Sequence, residues 1–314
     1  MHLSVIVPIL GSAAKLNRFL NGVLHQRLDR SVFDVIVIDD GSTQGLADVV
    51  RDCERRFDNG QITYIRNDVN QGRAKARNRG IAVATGDVLL FVDVDNVPDP
   101  DAFGVIVDHF AGCECRAVRG NVRCKIDDVD SSAYIHFFDQ RYLGARGVVT
   151  GPLSYRYFAS DALAISREAL DRVGMFDEQF HAYGCEDEEL GCRVKANGIP
   201  FYFVTDARFE DMDRPTLGRE ADRMREYSCY SLPLLLVKHP AYAAECLFPH
   251  LEAARGIGGT LRRWVLISLL NWAVANRVMR VLDFLDSRVP RIPAHLFYYV
   301  IASAYVAGYR NRRP

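Results

Sequence analysis

Val88-Leu89-Leu90-Phe91-Val92 is a short apolar run that ends in Asp93-Val94-Asp95. Five consecutive apolar residues read as a strand buried on both faces. Strands of that kind sit in parallel sheets covered by helices, so this run confines the chain to α/β architectures. At its end, two carboxylates would share one side of an extended chain, because side chains alternate with period two. Like charges so close repel, and they call for a cation or strong donors. A hard divalent metal carrying phosphate oxygens would satisfy them. An acidic turn capping the next helix fits the same residues.

Strand and helix signals alternate through the first hundred residues. Residues 3–9 read as a strand. Residues 14–28 place Leu16, Phe19, Leu20, Val23 and Leu24 on one helical face. A second strand spans 33–39, and Ser42 or Thr43 can cap the helix that carries Leu46, Val49, Val50, Cys53 and Phe57. A third strand at 62–65, a basic helix at 72–84 and a fourth strand at 88–93 follow. Four alternations imply right-handed βαβ units and a mostly parallel sheet. Ligands bind beyond the carboxyl ends of such strands. Asp39-Asp40-Gly41-Ser42 follows strand two and the Asp93/Asp95 pair follows strand four, so that rim is the expected site.

After Cys124 the regularity lapses. Residues 131–157 are aromatic and glycine-bearing, with Tyr134, Phe137, Phe138, Tyr142, Tyr155 and Tyr157, which suit either a stacking surface or a core. A strand at 162–165, a helix at 186–196 closed by Asn197-Gly198, and a final strand at 201–204 are expected. From Thr216 onward the pattern is helical, with an apolar helix starting near Arg262-Arg263 and running toward Phe284.

Two further stretches carry charge in a pattern. The block from Asn70 to Gly80 opens a helix at Gly72 and brings Arg73, Lys75, Arg77 and Arg79. A helix N-terminus with such cations suits a diphosphate, and a solvated basic face suits it equally. Tyr183-Gly184-Cys185-Glu186-Asp187-Glu188-Glu189 puts four acids at a helix start. Acids there favour the helix dipole, and one held near the rim could serve as a general base.

The 314 residues carry a net charge of −1, which argues against general nucleic-acid binding. The charge is uneven: 251–314 has ten arginines, no lysine and three acids, a net +7. With its Trp and Tyr content, that segment reads as a helical bundle or as a dock for an anionic membrane surface or acceptor. No apolar run reaches the ~20 residues of a membrane span. Eight scattered cysteines without metal spacing read as reduced thiols of a cytoplasmic protein, at most peripheral at the inner membrane face. No leader is expected before the first strand.

Taken together, these motifs resemble a glycosyltransferase of family 2 with the GT-A fold. The matching residues are Ser4-Val5-Ile6-Val7-Pro8, Ile38-Asp39-Asp40-Gly41-Ser42, the Asn70 to Gly80 block, Ala84-Thr85-Gly86-Asp87, Phe91-Val92-Asp93-Val94-Asp95, Gly174-Met175-Phe176-Asp177-Glu178 and Tyr183 to Leu190. The resemblance covers about residues 3–212. It implies a Rossmann-like nucleotide-diphospho-sugar transferase fold: a catalytic domain over 1–215 (nucleotide-binding half 1–125, acceptor half 126–215) and a helical extension over 216–314. It implies that Pro8 and Asp40 line the base pocket, that Arg77 sits near the nucleotide, and that Asp93 lies near the ribose. Asp95, with Asp93, would hold Mn2+ or Mg2+ on the diphosphate. Asp187 would deprotonate the acceptor, and Glu186 would contact donor sugar or acceptor. Many relatives supply a histidine to the metal after the last strand; here Glu210 stands in that place, with Asp211 and Asp213 near.

The activity implied is inverting, metal-dependent transfer from a nucleotide sugar, UDP-linked by expectation, to a saccharide, lipid-linked or peptide acceptor, in bacterial polysaccharide or glycoconjugate biosynthesis. The Tyr-Gly-x-Glu-Asp-x-Glu-Leu block also resembles the galactosyl and N-acetylgalactosaminyl branch. Thr260 to Trp264 differs by one residue from the Gln-x-x-Arg-Trp motif of processive polysaccharide synthases. Two alternatives stand beside this reading: a catalytically inactive relative that binds a nucleotide sugar, and a nucleotidyltransferase.

Overall fold

The computed structural model describes residues 1–57, 61–112, 116–124, 132–146, 149–245, 267–289 and 291–312. The near-match at 260–264 and the start of the apolar helix at 262 lie outside these residues. The chain divides into two compact units. The first comprises Met1–Lys125, Ala145–His181 and Glu186–Asp213, and the second Ile126–Gly144, Ala182–Cys185 and Arg214–Pro314.

The first unit is built on a nine-stranded sheet. The strands are β1 (Leu3–Ile9), β2 (Phe33–Asp39), β3 (Ile62–Arg66), β4 (Val88–Val92), β5 (Asn96–Pro98), β6 (Ala117–Cys124), β7 (Gly151–Pro152), β8 (Ala162–Ser166) and β9 (Phe201–Asp211). Their order is β3-β2-β1-β4-β8-β6-β9-β5, with β7 pairing on β9. The first four are parallel, as the alternating pattern requires. Beyond β4 the sheet is mixed: β8 runs antiparallel to β4 and β6, and β9 is parallel to β6. Only the parallel part is fed by short strand–helix repeats, which is why it alone shows the regular pattern.

Helices α1 (Ala13–Leu24), α2 (Leu46–Glu54), α3 (Arg73–Val83), α4 (Ala102–Phe110), α6 (Arg167–Val173) and α7 (Glu186–Ala196) cover both faces. Alternation along β1 divides the core in two. Leu3, Val5, Val7 and Ile9 join Leu16, Phe19 and Phe103 on one side. Ile6 joins Ile38, Ala74, Ile81, Leu190 and Val194 on the other. Helix α3 lies close to the sheet because Gly80 has no side chain: a Cβ there would come 2.5 Å from Ile6 Cγ2 and 2.9 Å from Ile38 Cδ1.

Two elements extend further than their sequence suggests. The last strand runs to Asp211 rather than ending at Val204, because the polar stretch 205–208 is absorbed where the pairing with β6 shifts between Gly120 and Asn121. Residues in the irregular 131–157 stretch form helix α5 (Ala133–Arg146), whose apolar and polar residues are spread around the axis and so give no clean helical period.

The second unit is helical, with α8 (Leu217–Glu226), a π-turn at Tyr227–Ser231, α9 (Leu232–Lys238), α10 (Trp272–Leu285) and α11 (Ala294–Arg310). Thr216 caps α8 by accepting from the Arg219 amide. The apolar helix expected to run through to Phe284 is interrupted. Asn271 starts a new helix, its side chain accepting from the Ala273 and Val274 amides at 2.9 and 3.4 Å. Tyr134, Phe137 and Phe138 are buried, and Tyr134 and Phe137 pack on Phe297 of α11, so in this unit they are core. Tyr142 lies outside the described side chains. Among the described residues no helix is long and apolar enough to cross a membrane.

Candidate active site

The carboxyl ends of β1, β2 and β4 share one rim of the sheet, and Pro8, Asp40 and Asp93 lie on or just after those ends. Pro8 is half-buried and in register with Ile38. Asp39 and Asp40 divide their work. Asp39 accepts from the Ser42 amide at 2.8 Å and from Tyr64 Oη at 2.6 Å, which closes the turn. Asp40 accepts from Asn67 Nδ2 at 2.6 Å and from the Gln71 and Gly72 amides at 2.9 Å each. It thereby fixes the loop that opens α3. Gly41 is required just after them: its φ is +83°, and a Cβ would fall 2.6 Å from the Asn70 nitrogen.

The chain turns after Val92, so the Asp93/Asp95 pair does not follow strand alternation. The Asn96 amide bonds back to Asp93 O at 2.8 Å, and the turn is pinned on two sides. Asn96 Nδ2 reaches Asp161 O at 2.8 Å, and the Met212 amide reaches Asp95 O at 2.9 Å. As a result the two aspartates face different partners.

Asp93 bonds Arg77. That arginine, 2% exposed, donates Nη2 to Asp93 Oδ1 and Nη1 to Glu186 Oε1, each at 3.1 Å. Its Nη1 also lies 3.9 Å from Asp187 Oδ1, and its guanidinium sits 5.4 Å from the Phe176 ring centroid. Burial opposes the Arg77 charge, yet Asp187, Asp93 and Glu186 together hold its pKa above the ordinary value. Asp187 is a fifth exposed and accepts from Ser160 Oγ at 2.6 Å. Burial, reinforced by the Glu186 charge, raises its pKa despite Arg77 and Ser160 pulling the other way. A carboxyl poised in that way suits a general base.

Asp95 bonds Lys15. The ammonium is 2.7 Å from Oδ1 and 2.9 Å from Oδ2, and 3.7 Å from Asp213 Oδ1. Oδ1 of Asp95 is sealed from solvent and receives no aligned hydrogen bond. Burial and the charges of Asp95, Asp213 and Asp161 push the Asp211 carboxyl up to about 7, against a hydrogen bond from the Asp213 amide at 2.8 Å. Glu210 is not in this group. Because β9 continues through Asp211, alternation turns Glu210 to the opposite, exposed face, where its charge adds to burial in raising the pKa of Asp99.

A divalent metal fits the chemistry of Asp95, Asp211 and Asp213. They are hard carboxylates with an excess of negative charge and one buried oxygen lacking an aligned donor. Among the described residues no three donors converge as a ready cage, and a lysine stands where the positive charge is needed.

Sequence reasoning missed Lys15, Ser160 and Asp161. Lys15 lies in the first turn after β1, and Ser160-Asp161 directly precedes an apolar strand. Both are loop-to-element junctions, where rim residues of an α/β sheet come from.

The sequence pattern described as "Glycosyl transferase family 2" matches residues 4–174, and that described as "N-terminal domain of galactosyltransferase" matches 147–214. The chain belongs to glycosyltransferase family 2. This glycosyltransferase is 29% identical over 322 residues to validoxylamine A glucosyltransferase of Streptomyces hygroscopicus subsp. jinggangensis, covering 93% of this chain and 73% of that protein. It is 26% identical to the chondroitin synthase of Escherichia coli over 70% of its own length but only 36% of the synthase. Among solved structures, the mannosyltransferase PcManGT from Pyrobaculum calidifontis in complex with GDP-Man and Mn2+ matches with a TM-score of 0.65 and 18% identity, over 96% of this chain and 86% of that one. S. aureus TarS 1-349 in complex with UDP-GlcNAc matches with a TM-score of 0.54 and 16% identity, over 99% and 91%. The glycosyltransferase has the GT-A fold of these structures.

Proposed function

We propose that this enzyme transfers a sugar from a nucleotide sugar, UDP-linked in our reading, to a hydroxyl acceptor with inversion, within residues 1–215. The observation that carries this reading is the Arg77 cluster, which ties Asp93 on the donor rim to Glu186 and the base candidate Asp187. Negative charge grows on the departing diphosphate, and cations at the rim stabilise it. The acceptor oxygen attacks the anomeric carbon while the bond to the diphosphate oxygen breaks and its electron pair leaves with the diphosphate. The acceptor proton passes to Asp187. A single base opposite the leaving group gives one displacement and therefore inversion. Asp40 and Pro8 line the base pocket in this reading, and Glu186 sets the position of sugar or acceptor.

Mn2+ or Mg2+ would be held by Asp95 with Asp211 and Asp213, and it would supply electrophilic stabilisation of the diphosphate. Mn2+ is named with the Pyrobaculum mannosyltransferase. The acceptor class we favour is a saccharide or a lipid-linked sugar of a polysaccharide or glycoconjugate. For the helical extension over 216–314 we favour peripheral contact with an anionic membrane. Val274, Val281 and Phe284 on α10 are exposed together with Arg277, Arg280 and Arg288. Phe284→Asp combined with Val281→Asp should release the protein from phosphatidylglycerol vesicles in a sedimentation assay; undiminished pelleting refutes the contact.

The function is tested by donor hydrolysis with a panel of UDP-, GDP- and dTDP-sugars in Mn2+ or EDTA, on the wild type and Asp95→Ala. Metal-dependent release of UDP, lost in the variant, is expected. Release from a GDP-sugar alone, or equal release in EDTA, would correct the donor or the metal.

A further inference from the structure

Lys15 is fixed at its backbone and partly exposed along its side chain. Ser12 caps α1 by accepting from the Lys15 amide at 3.3 Å, so the lysine leaves the first turn at a set place. Its side chain, 37% exposed, then reaches across to Asp95 and Asp213. An ammonium on a four-carbon stem is a hydrated point charge, without the planar fork by which arginine locks a carboxylate. A divalent ion on Asp95 would compete with the Lys15 ammonium, which lies 2.7 and 2.9 Å from its two carboxylate oxygens, because like charges that close repel.

We propose that Lys15 is the resident counter-ion of Asp95 and Asp213, and that a divalent ion loads this enzyme by displacing it. The proposal rests on the reading of Asp95 as a metal ligand. In the nucleotide-free enzyme the ammonium offsets the carboxylate charge that would otherwise gather at the turn. Metal uptake is then an exchange of one cation for another, and its apparent affinity is lowered by the strength of the lysine contact. A diphosphate brings charge enough for both cations, so metal binds more tightly with the nucleotide than without it. Lys15 thereby links metal loading to donor arrival.

The test is Mn2+ binding to the full chain, followed by the loss of the free-ion EPR signal, without donor and with UDP. Lys15→Met should bind Mn2+ at least about tenfold more tightly than the wild type without UDP, because no ammonium competes. Lys15→Arg should bind no more tightly than the wild type. The advantage given by UDP should shrink in Lys15→Met. In EDTA, Lys15→Met should melt below the wild type, and Mn2+ should restore it by the larger step. Should the Met variant fail to fold, Lys15→Gln removes the charge while keeping polarity and carries the same expectation. Unchanged or weaker Mn2+ binding in the neutral variants overturns the displacement while leaving Asp95 a metal ligand. Absence of saturable Mn2+ binding in every form, lost advantage of UDP included, overturns the metal reading and the displacement with it.

Discussion

Asp93 and Asp95 are two residues apart, yet the fold gives them to different cations. Asp93, itself 45% exposed, is held by Arg77, which is 2% exposed and also bonds Glu186. Asp95, only 25% exposed, is held by Lys15, which is 37% exposed and faces Asp213 as well. The difference lies in the cations: a buried guanidinium cannot leave without stranding the buried Glu186 charge, whereas a half-buried ammonium on a flexible stem has access to water. In the proposed reading the first cation is fixed and the second exchangeable.

The largest effect that sharpens this contrast is at the base. Asp187→Asn should cut kcat by about 10²–10⁴-fold while leaving donor affinity within a few-fold, read by turnover and calorimetry. Equal loss in both would place Asp187 in binding. Arg77→Leu comes next: stranding the buried Glu186 and the mostly buried Asp187 should cost about 3–5 kcal/mol in urea unfolding. Lys15→Leu, at the open nest, should cost far less, about 0–1 kcal/mol in the same assay. Similar losses at the two positions would break the distinction between fixed and exchangeable cations. At the metal, Asp211→Asn should weaken Mn2+ binding more than Glu210→Gln, since the Asp95 charge acts on Asp211 while Glu210 lies on an exposed face; the reverse order would return the third ligand to Glu210.

The smallest effect is on pH. Asp187 must be ionised to act as base, and its folded-state pKa lies above the usual carboxylate value. The acid limb of kcat/KM, which reports the free enzyme, should therefore stand above the ordinary carboxylate range. Ser160→Ala removes a hydrogen bond to the charged form, so it should move that limb to higher pH. The stability sign follows from the same shift. The folded protein holds this proton more tightly than the unfolded chain, so stability is lost as pH rises through the folded pKa, a loss Asp187→Asn should not show.

Much of this was legible in the sequence, and the gaps have physical causes. The four parallel strands are short, mostly apolar runs separated by helical spacing, and their end motifs fell on one rim. Helix α7 is bounded where its acids and Asn197-Gly198 put it. The turn at 93–96 was not legible, because alternation holds only while the chain stays extended, and here a hydrogen bond from Asn96 ends it. Strand β9 was cut short for a related reason: Thr205 and Asp206 look like loop residues until their irregular pairing with β6 is known. Glu210 was expected as a metal ligand because it stands where relatives place a histidine, and the longer strand puts it on an exposed face. Lys15 gave no signal as a single charge on an otherwise ordinary helix start.

In the proposed mechanism one base, Asp187, drives a single displacement across the Arg77 cluster. NMR of the first anomer released when the enzyme hydrolyses an α-linked nucleotide sugar tests this most directly. The β anomer should appear first and equilibrate later. First appearance of the α anomer would mean two displacements or a front-side route, and would contradict it.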